Sequence, residues 1–212
     1  MMQVKICGMR EVANLWAVAD LKPDYLGFIF YGKSARYMRE TLSASRVRNL
    51  PAGTKRVGVF VNADLTNVLA TASAYGLDYV QLHGHETPAY CQQAHAAGLR
   101  IIKAFAVDNE FDFGQLAAYV PACALFLFDT KGALPGGNGV AFDWGVLGQY
   151  HGPVGFLLSG GLGPGNLDEL RRFAHPYLVG YDFNSHLETA PGLKDVAATQ
   201  LLLAGLRTPP TT

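Results

Sequence analysis

Short runs of apolar residues recur along this chain about every twenty-five residues, and each is rich in β-branched or aromatic side chains. Segments with the spacing of amphipathic helices separate them. Most runs end in a polar residue or a glycine, as strands do where they reach the edge of a parallel sheet. The predicted strands are Val4–Cys7, Tyr25–Phe30, Arg56–Val61, Tyr79–His83, Arg100–Phe105, Leu125–Asp129, Val154–Ser159 and Leu178–Phe183.

Local signals between the strands predict where helices begin and end. Asp64 and Thr87 are capping residues that precede helical patterns, and Gly163-Pro-Gly-Asn166 opens onto a third. Gly76 and Gly98 stand where helices should stop, just before the fourth and fifth strands. The chain is therefore predicted to alternate strand and helix throughout.

This alternation predicts an α/β fold, a (β/α)8 TIM barrel in one compact domain. The 212 residues are few for a fold that usually has about 250. An open doubly wound sheet is the alternative, but its glycine-rich GxGxxG turn is missing after the first strand, where Cys7-Gly-Met-Arg10 stands. We predict a barrel over residues 1–207 and a flexible C-terminal tail over residues 208–212.

Composition narrows the class of ligand. With 17 basic and 17 acidic residues the formal net charge is zero, which argues against a nucleic-acid partner. The 3 cysteines form no CxxC pair and lie at no zinc-ligand spacing, which favours free thiols in a reducing cytoplasm. The longest apolar stretch, residues 122–128, is far too short to span a membrane. We therefore expect a cytoplasmic protein that acts on a small molecule.

A glycine cluster after the seventh strand is the clearest candidate binding site. In Ser159–Asn166, Gly160 and Gly161 allow the backbone N–H groups to approach an anion closely. Barrels often bind phosphate in the loops after strands seven and eight, so Asn184 and Ser185 complete the predicted clamp. The alternative is a glycine-rich turn that binds nothing.

Two strand ends carry residues suited to proton transfer. Cys7 ends the first strand, and two-residue alternation places Lys5 on the same inward side. The ammonium is expected to lower the pKa of the thiol below its usual ~8.5, although a buried cysteine is often inert. Asp129 ends a wholly apolar strand and is either a general acid or a cap for the next loop. Asp182, at the end of the last strand, has the same two interpretations.

Three further polar residues are expected at the same edge of the barrel. Gln81 and His83 point the same way at the end of the fourth strand, although a single histidine is more often part of a core or rim. Arg36, in the loop after the second strand, is either a solvated charge or a fork for a substrate carboxylate.

Ten short segments of the chain occur in an order that matches a known protein family. They are Lys5–Gly8, Gly27–Phe30, Lys33–Tyr37, Val57–Asn62, Val80–Gly84, Ile102–Ala104, Phe128–Thr130, Gly136–Gly139 with Phe142–Trp144, Ser159–Leu162 and Pro191–Asp195. In this order they resemble the phosphoribosylanthranilate isomerase family of tryptophan biosynthesis, over nearly the whole chain.

The resemblance implies an Amadori rearrangement of N-(5-phosphoribosyl)anthranilate to 1-(2-carboxyphenylamino)-1-deoxyribulose 5-phosphate, without cofactor or metal. By the same resemblance, Asp129 is the general acid that protonates the furanose ring oxygen. Cys7 is the general base that takes the C2 proton. Arg36 anchors the anthranilate carboxylate, and Gln81, His83 and Asp182 are expected to bind substrate.

The chain departs from the family pattern at three positions. Ala35 replaces a common proline beside Arg36, Asn138 replaces a threonine or serine, and His186 replaces a frequent glycine after Asn184–Ser185. The first is expected to loosen Arg36, the second to change hydrogen bonds after strand six, and the third to alter phosphate contacts. None of them removes a catalytic group.

The sequence also has other interpretations. The histidine-pathway ribonucleotide isomerase would carry an aspartate at position 7, and indole-glycerol-phosphate synthase would have a longer N-terminal extension. A phosphoribosyl-ligand sensor without activity would not need both Cys7 and Asp129. The sequence is compatible with either a monomer or a homodimer.

Overall fold

Eight parallel strands close into a barrel in the order of the chain, as predicted. The structure is a computed structural model, and it describes residues 2–130 and 144–207, so the predicted tail lies outside the described residues. The strands are β1 (Gln3–Ile6), β2 (Tyr25–Ile29), β3 (Lys55–Phe60), β4 (Tyr79–Leu82), β5 (Ile101–Val107), β6 (Cys123–Thr130), β7 (Phe156–Ser159) and β8 (Leu178–Phe183). Each begins and ends within two residues of its predicted bounds.

Helices surround the barrel on its outside. The α-helices are α1 (Val12–Ala19), α2 (Ala44–Arg48), α3 (Leu65–Tyr75), α4 (Pro88–Ala96), α5 (Leu167–Arg172) and α6 (Val196–Arg207). None of the helices in the described ranges has the length and apolar character needed to cross a bilayer. A short antiparallel hairpin, β9 (Glu188–Ala190) and β10 (Leu193–Lys194), follows β8.

Two connections differ from the predicted alternation. Short 3₁₀ helices at Phe113–Ala118 and Trp144–Gln149 lie where the sequence predicted α-helices. The Asp112 carboxylate accepts a hydrogen bond from the Gly114 N–H at 2.8 Å, which closes a tight first turn. The glycine itself is a poor helix former, so the segment stays short.

The predicted helix signals are largely confirmed. The Asp64 side chain accepts from the Asn67 N–H at 2.8 Å, and the Thr87 hydroxyl accepts from the Tyr90 N–H at 3.2 Å. Gly76 and Gly98 follow α3 and α4 with left-handed φ values of 61° and 90°. These caps satisfy backbone groups that each helix end leaves unpaired, and so they set where the helices begin and stop.

Strand alternation separates an inner core from an outer one. In β6, Leu127 belongs to the inner cluster, whereas Phe126 and Phe128 pack outward against Tyr150. Asp129 comes two residues after Leu127 and is therefore on the inward side, at the end of the strand. The inner cluster is made of Tyr25, Val57, Tyr79, Ile102, Ala104, Leu127 and Leu157.

The barrel closes where β1 pairs with β8. Lys5 is the register partner of Asp182, and Gln3 is the partner of Gly180. A Cβ at Gly180 would lie only 2.0 Å from the Gln3 carbonyl oxygen. Because that contact is with backbone, a side chain at Gly180 would push the two strands apart.

We expect Gly180→Ala to destabilise the protein by about 1–3 kcal/mol, the usual effect of overpacking. The denaturant midpoint of unfolding would report the loss. Gly53→Ala is the matched control, because a Cβ at Gly53 would meet nothing within 4 Å. Equal midpoints for the two variants would show that closure does not depend on Gly180.

Candidate active site

A cavity of about 220 Å³ opens at the carboxyl ends of the strands. Every residue predicted for the site lines it except Arg36, which lies beside it. The predicted residues in its wall are Cys7, Gln81, His83, Asp129, Gly160, Gly161, Asp182, Asn184 and Ser185. The barrel therefore brings together residues at the ends of β1, β4, β6, β7 and β8 that are far apart in the sequence.

The Cys7 thiol lies against the backbone of the neighbouring strand β2. Cys7 follows β1 directly, and its N–H donates to the Phe183 carbonyl of β8 at 2.8 Å. A Cβ at Gly27 would lie 2.7 Å from the Cys7 sulfur. Gly27 therefore leaves the space that the thiol fills, a role that the sequence analysis did not assign.

The electrostatic surroundings of Cys7 correct one prediction. Burial raises the pKa of the thiol, and the nearby Lys5 ammonium opposes this rise without overcoming it. Lys5 is fully buried, and its Nζ donates to both Asp182 oxygens, at 2.9 and 3.0 Å. The prediction that Lys5 lowers the pKa of Cys7 overall is wrong, because burial dominates and Asp182 neutralises much of the ammonium charge.

Asp129 is the outer member of a short polar chain. His83 Nε2 lies 3.4 Å from Asp129 Oδ2, and the Gln81 amide nitrogen lies 2.9 Å from His83 Nδ1. An amide nitrogen only donates, so His83 accepts at Nδ1 and carries its proton on Nε2, toward Asp129. Gln81 Oε1 is buried and has no hydrogen-bond partner among the described residues.

Glycine conformation shapes the end of the cavity formed by β7 and β8. Gly160 and Gly161 have φ values of 103° and 64°, in the region that side chains disfavour. After the neighbouring strand β8, Asn184 and Ser185 lie at the start of a short 3₁₀ helix. His186 does not have a positive φ. The backbone at this position therefore does not require the glycine that is frequent in the family pattern. A Cβ at Gly163 would instead meet the His186 side chain, at 2.6 Å.

Arg36 makes a contact that the sequence analysis missed. Its Nε lies 2.9 Å from both Glu188 oxygens, and its Nη2 lies 2.6 Å from Oε2. Ala35 does not leave the loop unsupported, because its carbonyl accepts from Arg10 Nη1 at 3.1 Å. A Cβ at Gly8 would lie 2.9 Å from Arg36 Cδ and 2.7 Å from Asn184 Oδ1, so Gly8 lets both side chains approach Cys7.

A second, larger cavity of about 550 Å³ adjoins the first and shares His83 and Asp129 with it. A buried ion pair lies in its wall, with Lys103 Nζ 3.2 Å from Glu86 Oε2. Glu86 also accepts from the N–H groups of Asn62, at 2.8 Å, and Gly84, at 3.0 Å. This ion pair holds the loops after β3 and β4 in place. The feature of the sequence that could have revealed it is Lys103, a charged residue inside the apolar strand β5.

The remaining predictions concern residues away from these cavities. Cys91 and Cys123 are buried free thiols that do not line the cavity that contains Cys7. Asn138 and the segment 136–139 lie outside the described residues. Within the described parts of the chain, no three His, Cys, Asp or Glu side chains are grouped as a metal site.

Known proteins resemble this chain over nearly its whole length. A family model described as N-(5′-phosphoribosyl)anthranilate (PRA) isomerase matches residues 4–204. A Phocaeicola vulgatus protein named N-(5′-phosphoribosyl)anthranilate isomerase is 44% identical over 206 residues, covering 97% of this chain and 98% of that protein. A phosphoribosyl anthranilate isomerase structure from Thermotoga maritima is 33% identical, with a TM-score of 0.83, over 98% of this chain and 99% of that one.

One similar structure contains a ligand. It is a phosphoribosyl anthranilate isomerase in complex with reduced 1-(o-carboxyphenylamino)-1-deoxyribulose 5-phosphate. That chain is 32% identical to this one, with a TM-score of 0.81, and the match covers 98% of this chain and 99% of that chain.

The raised pKa of Cys7 predicts how alkylation depends on pH. Only the thiolate reacts, so iodoacetamide should modify Cys7 slowly at neutral pH, and the rate should still rise above the usual thiol pKa of ~8.5. Mass spectrometry of the modified peptide would measure the rate, with Cys7→Ser as the control for Cys91 and Cys123. A rate that levels off below about pH 8.5 would show that Lys5 prevails over burial.

Proposed function

The chain belongs to the N-(5′-phosphoribosyl)anthranilate isomerase family, and we propose that it performs the reaction of that family with Asp129 as general acid and Cys7 as general base. It is an enzyme of tryptophan biosynthesis that converts N-(5-phosphoribosyl)anthranilate into 1-(2-carboxyphenylamino)-1-deoxyribulose 5-phosphate. The observation that carries the proposal is the cavity at the carboxyl ends of the strands. It has Asp129 and Cys7 in its wall, with a glycine-lined end for phosphate.

The reaction needs one proton donor and one proton acceptor. Asp129 gives a proton to the furanose ring oxygen, the C1–O bond breaks, and an iminium forms at C1. Cys7 as thiolate then removes the proton from C2, and the electron pair of that bond makes an enolamine. The enolamine becomes the ketone when the Asp129 carboxylate takes the proton of the C2 hydroxyl and the Cys7 thiol returns its proton to C1. The substrate and the product therefore have the same atoms, and both side chains return to their starting states.

The raised pKa of Cys7 suits this order of events. In the free enzyme burial favours the neutral thiol, which spares the buried site an uncompensated negative charge. When the ring opens, the iminium places a positive charge beside the sulfur. An opposite charge this close lowers the pKa of the thiol, so the thiol loses its proton to solvent and more of Cys7 is thiolate when the C2 proton is removed.

Other residues hold the substrate in this proposal, and His83 and Asp182, which line the same cavity, contact it as well. The N–H groups at Gly160–Gly161 and Asn184–Ser185 bind the phosphate, and the guanidinium of Arg36 binds the anthranilate carboxylate. Gln81 Oε1 is buried in the cavity wall and lacks a partner among the described residues, so it is the natural acceptor for a sugar hydroxyl. His83 orients Asp129, and Asp182 holds Lys5 below the cavity.

The proposal also includes a cellular setting. Free thiols at Cys7, Cys91 and Cys123 are consistent with a reducing compartment, and we place the enzyme in the cytoplasm. Both a monomer and a homodimer remain compatible with this proposal.

Asp129→Asn should lower kcat by at least ~10²-fold, because the amide cannot give a proton to the ring oxygen. KM should change much less, since the lost interaction belongs to the transition state. Loss of fluorescence from enzymatically generated phosphoribosylanthranilate would measure turnover. Asp168→Asn, on the exposed surface of α5, is the control. A variant at Asp129 with most of its turnover would exclude the general-acid role.

Inorganic phosphate should inhibit the enzyme competitively, and Gly161→Ala should weaken the binding of both phosphate and substrate. A side chain at a left-handed φ costs about 1–2 kcal/mol, which favours a loop backbone that no longer points its N–H groups at the phosphate, so we expect KM to rise on the order of tenfold. Gly165→Ala is the matched control, because neither glycine has an atom within 4 Å of an added Cβ and only Gly161 has a positive φ. Equal KM values for the two variants would contradict this phosphate site.

A further inference from the structure

Glu188 is a buried charged residue near the cavity, and the reaction proposed above gives it no role. It begins the β9–β10 hairpin, and its side chain is only 5% exposed, whereas the Arg36 side chain is 24% exposed. The two residues are 152 positions apart in sequence. The carboxylate thus lies behind the guanidinium, on the side away from solvent.

We propose that Glu188 is a positioning residue that orients Arg36 and so makes the enzyme selective for a substrate ring that bears a carboxylate. This inference rests on the proposed role of Arg36 as the carboxylate anchor. Glu188 itself touches no reacting atom and acts through the arginine.

The geometry of the fork carries the argument. A guanidinium has five N–H donors in one plane, and Glu188 takes the edge formed by Nε and Nη2. The edge formed by Nη1 and the second Nη2 hydrogen is left for another bidentate partner. Nη1 has no hydrogen bond among the described residues. A carboxylate that matches this second edge must lie in the same plane, so fixing the first edge fixes the orientation of the bound ring.

Lys194 holds Glu188 in place. The lysine side chain is fully buried, and its Nζ donates to Glu188 Oε1 at 2.6 Å, Asn184 Oδ1 at 2.8 Å and the Asn184 carbonyl at 3.2 Å. All three ammonium donors are therefore used. Gly192 N–H adds a further bond to Glu188 Oε1, at 3.1 Å. The carboxylate cannot follow the arginine if the arginine moves.

The same lysine joins the two ends of the proposed substrate site. Asn184 belongs to the phosphate end, and Glu188 belongs to the arginine end, so Lys194 sets their separation through one buried group. This assigns a role to the Pro191–Asp195 segment, which the sequence analysis singled out without a function. Two cations share one carboxylate here, and the excess positive charge suits an anionic ligand.

The test compares two inhibitors by calorimetry. One is reduced 1-(o-carboxyphenylamino)-1-deoxyribulose 5-phosphate, and the other is the same compound without the carboxyl group. We expect the wild-type enzyme to favour the first, and Glu188→Gln to reduce that preference at least ~10-fold, with little change for the second. Glu188→Asp keeps the charge beside Lys194 but is one methylene shorter, and it should reduce the preference while preserving the fold. Glu169→Gln, exposed on α5, should change neither affinity.

The outcomes separate this inference from the proposed function. If Arg36→Met lowers the preference but neither Glu188 variant does, Glu188 does not position the arginine. If both compounds weaken equally in the Glu188 variants, Glu188 is only structural and the inference is overturned. If Arg36→Met leaves the preference unchanged, Arg36 is not the carboxylate anchor, and both ideas fail.

Discussion

The ion pair between Lys5 and Asp182 joins the first and last strands of the barrel at the seam that closes it. A buried pair of this kind contributes little net stability, yet loss of one partner leaves a buried charge that costs about 3–5 kcal/mol. Its main effect is on register, since a shift of one residue would turn Lys5 out of the barrel and away from its partner. Cys7 follows β1 and Asn184 follows β8, so the register that the pair favours also sets the proposed base beside the proposed phosphate end of the cavity.

The fold and most of the site follow from local sequence signals, because those signals act over a few residues. Asp64 and Thr87 cap helices wherever the rest of the chain lies, and the alternation that ends in Asp129 turns that residue inward in any closed barrel. The pairing of Arg36 with Glu188 has no such signal. The two residues are far apart in sequence, and only the path of the hairpin after β8 brings them together. Long-range side-chain pairs of this kind can be identified only from the three-dimensional structure, whereas the residues at strand ends can be predicted from the sequence.

The sign of the shift at Cys7 illustrates a second limit. Alternation correctly places Lys5 on the same side as the thiol, and an ammonium does lower a thiol pKa. How much of that effect survives depends on burial and on what else the lysine binds, and neither quantity is written in the spacing of residues. Here Asp182 accepts two hydrogen bonds from the ammonium, and the fully enclosed thiol loses more solvation than the nearby positive charge restores. Burial raises the pKa of Cys7 and Lys5 lowers it, and the presence of the lysine in the sequence does not show which effect is larger.

Glycines supply the space in which the polar side chains of the site meet. Gly27 admits the sulfur of Cys7 against β2, and Gly8 lets Arg36 and Asn184 close over the end of β1. Gly27 lies within β2, where a glycine typically lowers stability by about 0.5–1 kcal/mol relative to alanine, and a packed barrel would otherwise fill the position with an apolar side chain. The site thus lowers the stability of the barrel where its strands end. The apolar clusters inside and outside the barrel offset this loss of stability. The residues at the strand ends can therefore vary while the packing of the strands stays the same.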